Sequence, residues 1–157
     1  MLSLSKRVDY ALIALAHLAD RTDRVAPARE IAEAYDLPTP LLMNILKELH
    51  QHGLVRSLRG TKGGYALGVN PREVSLHDLI VMLEGPVQTM ECVPAVDPDT
   101  LSLPVVGNCR ASRLCPVQGP LKALNDRLVR FLRQVKLSDI ITPGIRVDVP
   151  VERVGIG

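Results

Sequence analysis

The sequence predicts a mainly α-helical fold carrying one small β-hairpin. Apolar residues recur three and four apart along several stretches, the spacing of a helix face. Two short alternating runs, LVRSL and GYALG, flank a glycine-rich loop, which marks a hairpin. With one Phe, three Tyr and no Trp in 157 residues, of which 46% are hydrophobic, the core must be aliphatic. That length suits one domain or a small domain with an appended element.

The elements follow in order. Ser5 is placed to cap a helix reaching about Asp20, with Val8, Leu12, Leu15 and Ala19 on one face. Thr22 and Asp23 end it. Pro27 suits the first turn of a second helix, Pro27 to Tyr35, with Ile31 and Ala32 inward. Asp36-Leu37-Pro38 is a break. Thr39 is expected to cap a third helix, with Pro40 at its first position. Its buried stripe is Leu41, Leu42, Ile45, Leu46 and Leu49, and Gly53 stops it. The hairpin comes next, its loop running from Arg59 to Gly64.

Helix, helix, turn, helix, basic hairpin is the order of a winged helix-turn-helix. The third helix is narrow enough for a major groove, where its candidate readers are Thr39, Met43, Asn44 and Lys47. Asn44 suits the paired hydrogen bonds of adenine. Arg56, Arg59, Lys62 and Gly63 make the wing a candidate for phosphate and minor-groove contact. The competing reading is a protein-interaction winged helix with a basic surface hairpin.

Pro71 and Ser75 introduce a short helix, Leu76 to Leu83, closed by Gly85-Pro86. Val87 to Asn108 has no clear period, as expected of a long functional or disordered loop. Gly119-Pro120 opens a long helix to about Lys136. Leu121, Leu124, Leu128, Phe131 or Leu132, and Val135 form an apolar seam on it. Such a seam needs a partner, and the same helix of a second chain would supply it. A homodimer then spaces two winged units for a palindromic operator in double-stranded DNA. The alternative is packing of the seam on its own domain. A final helix, Leu137 to Ile141, stops at Pro143. The expected organisation is a winged helix-turn-helix over 1–84, a cysteine-containing sensor loop over 85–118, a dimerisation helix over 119–142 and a tail of unassigned structure over 143–157.

Charge is informative by distribution, since the net value is only +2. Thr39 to Tyr65 carries Lys47, Arg56, Arg59 and Lys62 against Glu48 alone. Glu84 to Leu103 holds four acids and no base, and Arg110 to Lys136 holds seven bases against Asp126. No run approaches the roughly 18 apolar residues of a membrane span. The N-terminus reads as an amphipathic helix of a cytoplasmic protein rather than a leader. His17, His50, His52 and His77 are scattered and none neighbours a nucleophile motif, so no enzyme is expected.

The three cysteines, Cys92, Cys109 and Cys115, are confined to one stretch, with sixteen residues in the first gap and five in the second. There is no CxxC pair, which argues against a zinc ribbon. Arg110 and Arg113 favour thiolates nearby. Three thiolates could hold a metal cluster if a fourth ligand came from elsewhere. A Cys109–Cys115 redox disulfide, or three ordinary small hydrophobic residues, is the other reading of the spacing.

Four segments carry a family resemblance. They are LSKRVDYALIALAHLA from Leu4, REIAEAYDLPTPLLMNILKELHQHGLVRSLRGTKGGYALG from Arg29, the three cysteines, and LNDRLVRFLRQVKLSDII from Leu124. The pattern GLV-x-S-x-RG-x-x-GGY-x-L over Gly53 to Leu67 is highly specific. The chain resembles the Rrf-two family of bacterial winged-helix transcription regulators, of the iron–sulfur-cluster repressor and nitric-oxide-sensing repressor type. The resemblance implies a homodimer with crossing long helices and an iron–sulfur cluster, 4Fe–4S or else 2Fe–2S, that an apo form would lack. It puts Cys92, Cys109 and Cys115 at the cluster cysteines. The position three after the last cysteine, a His in one relative, is Gln118 here, a poor ligand. The nitric-oxide sensor's Asp ligand falls at Asp9, so the implied fourth ligand is Asp9 of the partner subunit. The implied function is a repressor whose operator binding answers to nitric oxide, redox state or iron–sulfur supply. The alternative is a cluster-free regulator of the same family, controlled by thiol oxidation or by a partner protein. Two departures stand out: the first cysteine gap is longer than the family's, and Leu41 and Met43 replace frequent polar readers.

Overall fold

A computed structural model of the chain describes residues 4–20, 25–60, 63–88 and 115–142. The first helix, α1 (Lys6–Ala19), starts where Ser5 Oγ accepts the Val8 N–H at 3.4 Å. Its inward face, Val8, Ala11, Ala14, Leu15 and Leu18, lies at the centre of the core.

The helix-turn-helix pairs α2 (Ala28–Ala34) with α3 (Thr39–Gln51). Pro27 lies just outside α2, in extended conformation, rather than in its first turn. Between the helices Asp36 adopts the left-handed conformation at φ 52°, and the Leu37 N–H donates to the Ala32 carbonyl at 2.9 Å. That bond satisfies a carbonyl which α2 leaves open, and Asp tolerates the conformation better than most side chains. The break predicted at Asp36 is therefore a defined cap at the end of α2.

The start of α3 differs from expectation. Thr39 is already helical, and Pro38 holds the cap position in extended conformation, with no side-chain cap bond. Proline's fixed φ suits that position, and the Pro38 carbonyl closes the first turn by accepting the Leu42 N–H at 3.0 Å. At the other end Gly53, φ +79°, donates to the His50 carbonyl, and Leu54 donates to that of Leu49. This is a Schellman cap, whose left-handed residue favours glycine.

The hairpin pairs β1 (Val55–Leu58) with β2 (Gly64–Leu67), antiparallel, with Val55 opposite Leu67 and Leu58 opposite Gly64. Ala26 joins it as an isolated bridge to Tyr65, a third element that the sequence pattern does not announce.

A capping box opens α4 (Leu76–Glu84). Ser75 Oγ accepts the Asp78 N–H at 3.1 Å, and Asp78 Oδ2 accepts the Ser75 N–H at 2.9 Å. The long helix α5 (Gln118–Gln134) packs on α4, burying Asn125 and Val129, and α6 (Leu137–Ile141) returns against α1. The Leu76 N–H donates to the Val135 carbonyl and the Leu137 N–H to the Val74 carbonyl, at 2.8 and 2.9 Å. The far end of α5 is thus fastened to the start of α4. The cysteine-containing stretch over 89–114 and the tail over 143–157 lie outside the described residues. No helix among the described residues is long and apolar enough to cross a membrane.

Candidate nucleic-acid interface

Helix α3 is held by four fully buried side chains, Leu42, Ile45, Leu46 and Leu49. Its register then turns Pro40, Met43, Asn44 and Lys47 outward, at helical spacing. Met43 is 52% exposed, with its side chain open to solvent beside Asn44 and Lys47. Thr39 is half-buried at the helix start. Three of the four predicted readers therefore share one exposed stripe, and the fourth sits at its N-terminal end.

The wing stands beside the helix. His50 Nδ1 lies 3.1 Å from the Val55 carbonyl, which ties the end of α3 to the first wing strand. Arg56 is exposed and donates through Nε to the Leu67 carbonyl at 3.2 Å, so its guanidinium lies across the hairpin. Arg59 is exposed near the tip. The Gly63 N–H is used inside the turn, donating to the Gly60 carbonyl at 2.9 Å. It closes the wing rather than pointing at solvent. Lys62 lies outside the described residues.

The predicted metal ligands are spread differently. Asp9 is exposed in the first turn of α1, and its carboxylate makes no hydrogen bond or ion pair among the described residues. Cys115 is a free, half-buried thiol just ahead of α5. Cys92 and Cys109 lie outside the described residues. Among the described residues no group of three or more His, Cys, Asp or Glu is gathered for a metal. His17 and His77 are buried packing residues, His50 is the strand tie just described, and His52 is exposed at the end of α3.

The seam on α5 is split. Val135 is 7% exposed, buried within its own protomer, and Leu128 and Leu132 line a cavity shared with α1 and α4. Leu121 and Phe131 are half-buried, while Leu124 is 54% exposed and Val117, just ahead of the helix, 51%.

A winged helix-turn-helix with an outward stripe on its third helix is the geometry of a DNA reader. The sequence model of the Rrf2 family, described as iron-dependent transcriptional regulators, matches residues 4–143. The chain belongs to this family. An HTH-type transcriptional regulator of Aquifex aeolicus is 30% identical over 149 residues, covering 95% of this chain and 98% of its own length. The HTH-type transcriptional regulator NsrR of Bacillus subtilis is 28% identical, covering 83% of this chain and 82% of its own. Among solved structures, CymR, the global cysteine regulator of B. subtilis, superposes with a TM-score of 0.66 at 25% identity, covering 90% of this chain and 97% of its own. These relatives are transcription regulators rather than enzymes. The Rrf2 chain is accordingly a DNA-binding transcription regulator with a winged helix-turn-helix fold.

Proposed function

We propose that this Rrf2 regulator is a dimeric repressor whose grip on a palindromic operator is set by an iron–sulfur cluster. The observation that carries the reading is the outward α3 stripe on a chain of the Rrf2 family, to which Asp9, exposed in the first turn of α1, adds a carboxylate open to a second subunit. The exposed Leu124 and Val117 favour a second copy across α5, because apolar residues this open gain most by being covered. Two half-sites on a duplex then meet two copies of α3.

The available donors fit such a group. Thiolates are the usual iron–sulfur ligands, and Cys115 offers a free thiol next to the segment bearing Cys92 and Cys109. Cys92, Cys109, Cys115 and Asp9 of the partner subunit would hold a 4Fe–4S cluster. Bound there, the cluster supplies an iron centre reactive toward nitric oxide and oxygen. Asp9 lies in the first turn of α1, and α1 packs directly on α3. A ligand from α1 therefore gives the bound and free states different purchase on the reading helix, as any switch requires.

Anaerobic reconstitution with iron and sulfide tests this. The expected product is coloured, carries stoichiometric iron and sulfide, and changes its operator affinity when stripped. A colourless dimer that binds DNA unchanged, with Cys92→Ala indistinguishable from wild type, would sink the cluster reading. The likeness to CymR favours one second reading, a cluster-free regulator controlled through its thiols or a partner protein. Counting free thiols before and after peroxide separates the two.

A further inference from the structure

One side chain joins three elements. Arg7, in the first turn of α1, donates through Nη2 to Glu48 Oε2 of α3 in a short charge-assisted hydrogen bond. Through Nη1 it donates to the Leu83 carbonyl at 2.8 Å and lies 3.9 Å from Glu84 Oε1. Ser5 Oγ donates to the same Glu84 oxygen at 2.7 Å. The Leu83 carbonyl is among the last of α4, which have no partner within the helix. Arg7 therefore caps α4, and it neutralises a carboxylate poorly placed at the negative end of a helix dipole.

Glu48 lies on the recognition helix one residue past Lys47, so its bond to Arg7 adds a lateral tie beside the reading stripe to a helix whose inward face is set by Leu42, Ile45, Leu46 and Leu49. Glu84 is the last residue of α4, where the segment leading to the cysteines begins. Glu84 and Ser5 also line a cavity of about 400 Å³, with Gly85 and Val87 from that segment and Leu128 and Leu132 from α5. Glu84 thus stands between the start of that segment and Arg7, and it shares Arg7 with Glu48. The guanidinium fork suits this task, since its planar donors can hold two acceptors at a fixed angle where a Lys ammonium cannot.

We propose that Arg7 is a positioning residue for operator recognition, tying α3 through Glu48 to the end of α4. This rests on the reading of the chain as a regulator that reads DNA with α3 under control of the cysteine segment. The side chains of Arg7, Glu48 and Glu84 are 42%, 29% and 35% exposed. Ion pairs this open contribute little to stability. The contribution lies in geometry.

The test uses full-length, reduced, cluster-free protein and a duplex selected by the wild type from a random-sequence library. Arg7→Gln and Glu48→Gln are each expected to weaken binding to that duplex by about fivefold or more, with the double variant no weaker than the worse single. Affinity for an unselected duplex is expected to stay within about twofold, because a positioning residue touches no phosphate. Arg7→Lys should fall between wild type and Arg7→Gln. Should Arg7→Gln not fold, Glu48→Gln and Glu84→Gln, alone and together, run the same cycle with Arg7 intact. Penalties that multiply, unchanged binding to the selected duplex, or equal losses on both duplexes would overturn the proposal. Reconstitution and duplex selection report on the regulator reading separately: a protein that takes no cluster fails that reading while the cycle still decides for or against Arg7.

Discussion

Ala26 and Tyr65 exchange both backbone hydrogen bonds, at 2.9 and 2.8 Å, and so lash the second wing strand to the chain just before α2. The approach is close because Gly64 has no side chain. A Cβ at Gly64 would lie 2.5 Å from the Ala26 carbonyl oxygen and 2.7 Å from the Pro27 nitrogen, both backbone atoms. Gly64→Ala is expected to cost about 1–3 kcal/mol, as overpacking against an unyielding wall does. Urea denaturation gives the number. A variant as stable as wild type would mean that the wing is not pinned at this point.

The α3 stripe is expected to make two kinds of contact. Asn44→Ala removes a side chain that can pair with adenine, and is expected to lose about 1–3 kcal/mol of discrimination at one base-pair position. Lys47→Ala is expected to weaken binding across all sequences and lower the salt slope by about one, as loss of a phosphate contact does. Binding to single-position operator variants over a range of salt distinguishes them. Equal, sequence-independent losses in both would remove Asn44 from base reading.

Much of this architecture is legible in the sequence because it is periodic or local. Leu42, Ile45, Leu46 and Leu49 show the buried face of α3 by spacing alone, and the Ser75 cap is visible from its place ahead of an apolar run. The Ala26–Tyr65 bridge is not legible, since a single paired residue has no period. The Arg7–Glu48 contact is not either: its partners are 41 residues apart, and nothing local marks them. At Thr39 the preference of Thr for helix caps misleads, because Pro38 takes the cap and no side-chain bond is made. On α5 the seam reads as one surface, yet Val135 is used at home where the backbone returns to α4. For the site, the outward stripe of Met43, Asn44 and Lys47 on α3 is visible from the pattern, whereas Asp9 is singled out by family resemblance and not by any local spacing.

The α4 capping box carries a pH signature. Partial burial pushes the Asp78 carboxyl up, but the hydrogen bonds it receives from the Ser75 side chain and backbone, with His77 beside it, outweigh burial and hold it below the usual carboxylate range. A carboxyl whose folded value lies below its unfolded one stabilises the fold fully above the unfolded value. That contribution disappears as pH falls through the folded value. Ser75→Ala is therefore expected to cost about 1 kcal/mol near neutrality, the usual loss of a helix cap. The part of its difference from wild type that runs through the Ser75 Oγ bond to the Asp78 carboxylate should shrink through the acid range, while the cap bond from the Asp78 N–H persists. Thermal melts at a series of pH values measure it, and a gap that stays constant down to about pH 2 would rule out Asp78 as its source.

Asp9 allows folding and ligand roles to be separated. Its carboxylate makes no bond among the described residues, so the only stability argument for it is its place near the positive end of α1. That is worth about 0.3–1 kcal/mol at an exposed position. Asp9→Ala should therefore melt close to wild type. If Asp9 serves the partner subunit's cysteines, the same variant should retain less iron and sulfide after reconstitution and lose its visible absorption faster on dilution. Cys115→Ser should behave alike, because either change removes one ligand from the same set of four. Asp9→Cys offers the converse arm, replacing a carboxylate with a thiolate that iron holds more tightly, and is expected to slow the loss of colour. Full iron and sulfide retention in Asp9→Ala, beside a bleached Cys115→Ser, would leave the thiols as ligands and move the fourth position away from α1. The coupling of the cluster to α3 would then have to run through the end of α4, where Glu84 meets Arg7.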